Sequence, residues 1–124
     1  MNRHIYSEYI PEGENFVSKG WGYEEWIVNN DKYCGKKLHV AKGRKCSLHY
    51  HPIKEETFYI ISGEISLEIH KGYITMTVNL KKGDSFHIPP GTKHRFTGVR
   101  ASIIFEISTT HSDEDVIRIE LGDQ

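Results

Sequence analysis

The feature that most narrows the folds open to this chain is the stretch Gly43–Gly63, in which His49 and His51 stand two residues apart and Glu56 follows a connection led by Pro52. Side chains of an extended strand alternate between its two faces, so His49 and His51 point the same way, one strand repeat apart. Glu56 opens an apolar run, Thr57 to Ile61, that can fold back as a second strand and set its carboxylate beside both imidazoles. Gly63 ends that run at a turn. The stretch therefore asks for a pair of strands with a ligand site between them.

A His-x-His pair alone is common on solvated strands. Two imidazoles and one carboxylate are also an incomplete set for most first-row metals. A second stretch, Gly83 to His94, supplies a further donor: Gly83-Asp84 starts a strand, Pro89-Pro90-Gly91 stops it, and His94 opens the next short run. Three histidines and a glutamate inside a barrel would need water or other partners to offset their desolvation, a demand that a metal meets more simply.

The rest of the chain is strand-like and shows no sustained helical periodicity. An aromatic-rich run from Lys19 to Val28 closes at Asn29-Asn30-Asp31, and Tyr33 to Val40 follows. In the latter, Leu38 and Val40 share one face and Lys37 and His39 the other, and alternation does not say which face is interior. Ile65 to Ile69 and Tyr73 to Val78 predict an antiparallel hairpin with Lys71-Gly72 as its two-residue turn. Short strands follow at Ser85–Ile88, His94–Thr97, Ala101–Ser108 and Val116–Leu121. Many short strands separated by Gly/Pro turns predict an all-β sandwich or barrel. Residues up to about Ser18 lack periodicity and are expected to form an irregular arm, with Tyr6, Tyr9 and Phe16 able to cover a partner's sheet.

The length of 124 residues suits one ordinary domain. Sixteen basic residues balance seventeen acidic ones, so no global field draws the chain to nucleic acid or an anionic membrane. No hydrophobic signal segment opens the sequence, which makes the cytoplasm the expected location. Cys34 and Cys46 are too few for a disulfide framework and are expected to be reduced and half-buried.

Gly43, His49, His51, Glu56 and Gly63, followed by Gly83, Pro89, Gly91 and His94, resemble the paired motifs of the cupin superfamily, with Gly98 in place of the second motif's closing asparagine. Glu56, not Glu55, keeps the motif's six-residue gap to Gly63. The resemblance implies a cupin double-stranded β-helix, or jelly-roll barrel, over residues 1–124. It also implies one divalent transition metal (Zn, Mn, Fe, Ni or Co) held by His49, His51, Glu56 and His94. Over nearly its full length the chain is similar to the cupin domain of type II phosphomannose isomerases, through Trp21-Gly22, Ser47-Leu48, Ser62-Gly63 and the tail Asp113 to Arg118; His49 stands where those enzymes carry glutamine. That similarity implies aldose–ketose isomerisation of a sugar or sugar phosphate. The alternatives are a non-catalytic carbohydrate-binding cupin and a metal-dependent dioxygenase of a small organic substrate. Glu55, His39, His87 and Lys37 are candidate bases by chemistry, and Arg95 and Lys54 are candidate contacts to substrate anions. A homodimer is expected, with no nucleic-acid or membrane partner.

Overall fold

A computed structural model gives the structure of the chain at Gly13 and residues 15–124. These residues form the strands β1 (Phe16–Lys19), β2 (Gly22–Asn29), β3 (Cys34–Val40), β4 (Leu48–Tyr50), β5 (Glu56–Ser62), β6 (Glu64–Lys71), β7 (Ile74–Lys81), β8 (Ser85–Ile88), β9 (Lys93–Gly98), β10 (Ser102–Ser108) and β11 (Ile117–Glu120). One sheet runs in the order β1-β2-β3-β10-β5-β8 and the other β11-β4-β9-β6-β7. Every pairing between strands is antiparallel. The chain crosses repeatedly between the two sheets, as in the jelly roll expected from the sequence.

Alternation settles which side chains enter the space between the sheets. In β6, Ile65, Leu67 and Ile69 are buried while Ser66, Glu68 and His70 face outward. Across the larger sheet, Leu38 of β3 pairs with Ile104 of β10, which pairs with Ile60 of β5, and all three are buried. Fully burying such an aliphatic side chain contributes about 1.5–3 kcal/mol. Two residues further along each strand the character changes. Trp26 of β2, Lys36 of β3, Glu106 of β10, Phe58 of β5 and Phe86 of β8 form one continuous cross-strand row. Next comes the row Cys34, Ser108, Glu56 and Ile88. The barrel thus has an apolar end that carries the stability and a charged end whose ion pairs contribute little net stability.

Two glycines fix chain reversals beside this core. Gly63, between β5 and β6, has φ +85°, and a Cβ there would lie 2.5 Å from the carbonyl oxygen of Ala101. Gly72 has φ +60° and, with Tyr73, forms the β6–β7 turn, since Lys71 pairs with Ile74. This moves the hairpin turn one residue from the expected Lys71-Gly72, because a type II′ turn needs glycine at its first central position.

Three other expectations change. The expected arm reaches Ser18, yet Phe16 to Lys19 form β1, paired to the chain's own β2; Tyr6 and Tyr9 lie outside the described residues. The run from Lys19 divides into β1 and β2 at Gly20-Trp21, where Trp21 turns into the core and meets Phe96 edge-on at 5.0 Å between ring centroids. Cys34 and Cys46 are free and fully buried, not half-buried.

Candidate metal centre and its cavity

The polar end of the barrel brings His49, His51 and His94 together, one nitrogen from each lying within 4.8 Å of the others. His49 on β4 pairs directly with His94 on β9, so the two rings emerge side by side from one sheet. His51 lies one strand repeat beyond His49, as period two requires. Glu56 opens β5 in the opposite sheet and reaches across, with Oε2 3.3 Å from His51 Nε2 and 3.2 Å from His94 Nε2.

The other ring nitrogens define the chemistry. His49 Nδ1 donates to the carbonyl of Ser47 at 2.8 Å, His51 Nδ1 to the carbonyl of Asp115 at 2.9 Å, and His94 Nδ1 to the carbonyl of Thr92 at 2.8 Å. With the protons held on Nδ1 by backbone acceptors, each Nε2 presents a lone pair. Burial pushes the pKa of His49 down to about 3, which keeps that ring neutral. Burial alone would raise the pKa of Glu56; in the metal-free site a proton carried on Nε2 of His51 or His94 would bond its carboxylate, and this with the charge on Lys54 holds the carboxyl well below its usual range. Glu56 Oε2 and His94 Nε2 are buried without a hydrogen-bond partner. With the rings protonated on Nδ1 alone, the Nε2 lone pairs of the three imidazoles lie close together, and Glu56 Oε2 meets those of His51 and His94 with no donor between them. Buried acceptors left in this state are costly. A divalent cation satisfies them all, and mixed nitrogen and oxygen donors suit the first-row metals.

The centre opens into a cavity of about 470 Å³, within the range of small-molecule sites. Its wall includes Trp21, Glu24, Trp26, Lys36, Phe58, Glu106, His111 and Arg118. Lys54 donates from Nζ to Glu106 Oε2 at 2.7 Å, lies 3.2 Å from His111 Nδ1, and sits 3.9 Å from Glu56 Oε1. Burial opposes the charge on Lys54, but the Glu106 and Glu56 carboxylates prevail and raise its pKa. His111, lowered by burial and by the charge of Lys36, accepts from Lys54 and donates through Nε2 to Asp113 at 2.9 Å.

His49, His51 and His94 thus come together, Glu56 reaches His51 and His94 from the opposite sheet, and Lys54 lies beside Glu56. The other candidates do not line the cavity. Glu55 and His87 pair with each other on the outer surface, both about half exposed. His39 stacks on Tyr23 at 4.2 Å and bonds Glu25, opposite the face that carries Lys36, Leu38 and Val40. Lys37 shares that outer face by alternation. Arg95, between the inward His94 and Phe96, is directed outward, where it donates to the carbonyls of Cys46 and Leu121 and to Glu120 Oε1. It fastens the C-terminal segment to the barrel.

Sequence reasoning passed over Lys36, Glu106, Glu24 and Asp115. Asp115 Oδ1 accepts from the amide of Ile53 at 2.9 Å and Oδ2 from that of Lys54 at 2.8 Å, so the acidic turn before β11 clamps the loop joining His51 to Glu56. A signal for Lys36 was present in its parity with Leu38 and Val40.

Fold and site together define a jelly-roll protein with a three-histidine, one-carboxylate cluster at the end of its barrel. The Cupin domain family (Cupin_2) matches residues 37–107, and the chain belongs to that family. It is 32% identical over 111 residues to the D-lyxose ketol-isomerase of Cohnella laeviribosi, a match that covers 70% of this chain and 61% of that protein. It is likewise 32% identical over 112 residues to the D-lyxose/D-mannose isomerase of Thermosediminibacter oceani, covering 71% and 61% respectively. The chain thus spans about three fifths of the length of these relatives. The solved structure of oxalate decarboxylase from Bacillus subtilis superposes with a TM-score of 0.74 at 17% identity, covering 84% of this chain and 29% of that one, which is a likeness of fold.

Proposed function

We propose that this cupin interconverts an aldose and the corresponding 2-ketose. One observation carries the reading: a convergent metal-ligand cluster and a buried Lys54–Glu106 ion pair line the same cavity. The names of the relatives, D-lyxose ketol-isomerase and D-lyxose/D-mannose isomerase, support a sugar as substrate. The reaction is internally balanced: a hydrogen leaves C2 and arrives at C1, while a proton passes from the C2 hydroxyl to the C1 oxygen.

His49, His51, Glu56 and His94 would hold a divalent cation (Zn, Mn, Fe, Co or Ni), which would supply Lewis-acid chemistry to the cavity. The chain's own residues do the rest. Glu106 keeps Oε2 on Lys54, and no partner for Oε1 is found among the described residues, which suits that oxygen to accept the C2 proton and return it at C1. Lys54 fixes the carboxylate, and His111 with Asp113 continues the hydrogen-bonded path toward solvent, where Asp113 is exposed. Phe58, Phe96 and Trp21 exclude water from the inner wall. The Glu55, His87, His39 and Lys37 side chains take no part in this scheme.

We further read residues 1–124 as one cupin domain that works as a homodimer in the cytoplasm. The exposed Ile27, Tyr59 and Ile107 on the larger sheet support a partner, to be checked by sedimentation at micromolar concentration. The two free thiols suit a reducing compartment. The isomerase reading is tested by incubating the metal-loaded protein with D-lyxose and D-mannose in deuterated water. Ketose is the expected product, carrying deuterium at C1 to the extent that the proton held on Glu106 exchanges with solvent before its return. Sugar binding with neither ketose nor exchange across a panel of aldoses would replace this reading with a non-catalytic carbohydrate-binding one.

A further inference from the structure

Lys36 is the most buried cation in the described residues, at 1% exposure, and the metal cluster does not use it. Its ammonium lies 3.9 Å from the centroid of the Trp26 ring and 3.8 Å from Glu24 Oε1. Neither contact is a hydrogen bond. No acceptor lies within hydrogen-bonding distance of Nζ among the described residues. A lysine ammonium carries three donors and is strongly hydrated in water, and its place in the cavity lining leaves these donors to water or a ligand. Yet the surroundings fix its position. Trp26 and Lys36 are cross-strand partners, and the Trp26 indole N–H donates to Glu24 Oε1 at 2.9 Å, which locks the carboxylate beside the ammonium. Glu24 Oε2 also has no partner among the described residues. Both side chains line the cavity that holds the metal-ligand cluster, and they belong to β2 and β3, strands that contribute no ligand to it.

We propose that Lys36 and Glu24 together bind the hydroxyls of a polyol at this wall of the cavity. The ammonium donates to one hydroxyl oxygen, and Glu24 Oε2 accepts the proton of a neighbouring hydroxyl. A donor beside an acceptor matches vicinal hydroxyls, each of which both gives and receives a hydrogen bond. An anion fits poorly, because Glu24 is adjacent and Glu106, the cross-strand neighbour of Lys36, places a second carboxylate at the same wall. Lys36 therefore holds substrate hydroxyls on the wall beside Glu106 and sets which sugars are held. The assignment rests on the reading of the cavity as a sugar site, but not on turnover.

The test uses the full-length metal-loaded protein and a ligand that cannot react, the C5 sugar alcohol D-arabinitol, with binding followed by calorimetry. Replacing Lys36→Met removes the donors and keeps an unbranched chain of similar reach. The expected result is about tenfold weaker pentitol binding with metal stoichiometry unchanged, the size of effect that a lost charged hydrogen bond produces. Glu24→Gln should weaken binding in the same direction. Should Lys36→Met fail to fold, wild-type protein carrying ¹³Cε-lysine provides the readout: the resonance lost in Lys36→Arg should shift on adding pentitol while surface lysines stay still. Undiminished pentitol affinity in Lys36→Met, no binding by the wild type, a motionless Lys36 resonance, or displacement of the pentitol by millimolar inorganic phosphate would each overturn the proposal. If the protein proves active, the loss in Lys36→Met should fall on KM more than on kcat. Lys36-dependent pentitol binding without any isomerisation would sink the isomerase reading and leave this one standing; isomerisation with an unaltered KM in Lys36→Met would do the reverse.

Discussion

Asp115→Ala is the most informative single change, because it acts on the candidate metal centre without touching a candidate ligand side chain. The carboxylate receives two amides, from Ile53 at 2.9 Å and Lys54 at 2.8 Å. Hydrogen bonds to a charged acceptor contribute about 1.5–3 kcal/mol each when shielded. Ile53 is 78% exposed, so its amide regains water and is assigned about 0.5–1 kcal/mol. Lys54 is 3% exposed, so its amide is assigned about 1.5–2 kcal/mol. The expected loss is thus about 2–3 kcal/mol in the metal-free protein. The hydrogen bond from His51 Nδ1 goes to the backbone carbonyl of residue 115 and survives the substitution in kind. Its geometry loosens with the loop, however, and a disturbed supporting shell commonly lowers metal affinity by about 10–100-fold. Urea unfolding of chelator-treated protein gives the first quantity, and competition with a chromophoric chelator the second. Asp115→Asn, which keeps one carbonyl acceptor, should fall between the two proteins. A destabilisation below about 0.5 kcal/mol together with unchanged metal affinity would refute the clamp.

Replacing His51→Ala should abolish stoichiometric metal by elemental analysis while a β-sheet circular dichroism spectrum persists, since the apolar end of the barrel is untouched. In the metal-free protein, His49 is held neutral with its pKa lowered from 6.5 to about 3. The unfolded chain therefore binds more protons than the folded one between those values, and stability should fall as pH drops from about 6.5 toward 3, with Glu56 adding in the same direction at the acid end. A urea midpoint that stays flat from pH 7 to pH 4 would contradict this. Burial pushes the Cys46 thiol up to about 12 and raises that of Cys34, so a thiol reagent at pH 8 should label neither until the protein is unfolded.

The sequence by itself determined whatever depends on local period and turn chemistry. The two-residue spacing of His49 and His51, the strand opened by Glu56 and the proline-stopped run before His94 are properties of neighbouring residues, and they carried the strand plan and the set of candidate ligands. Tertiary structure alone decided what depends on the choice between two faces or on distant partners. Alternation placed Lys36 with Leu38 and Val40 and Lys37 with His39, but only the packing of the sheet that holds β3 against the other sheet turned Lys36 inward and left Lys37 and His39 outside. Arg95 sits beside a candidate ligand in sequence yet points to the opposite face of its strand, where the carbonyls of Cys46 and Leu121 claim it beneath the C-terminal segment. Asp115 reaches the loop amide of a residue sixty-one positions earlier. The donor to Glu106 Oε2 is a lysine fifty-two positions away. Period and spacing report what a strand offers to each of its faces; which face becomes interior, and which buried charge finds a partner, is settled only when the sheets close on one another and water is expelled from between them.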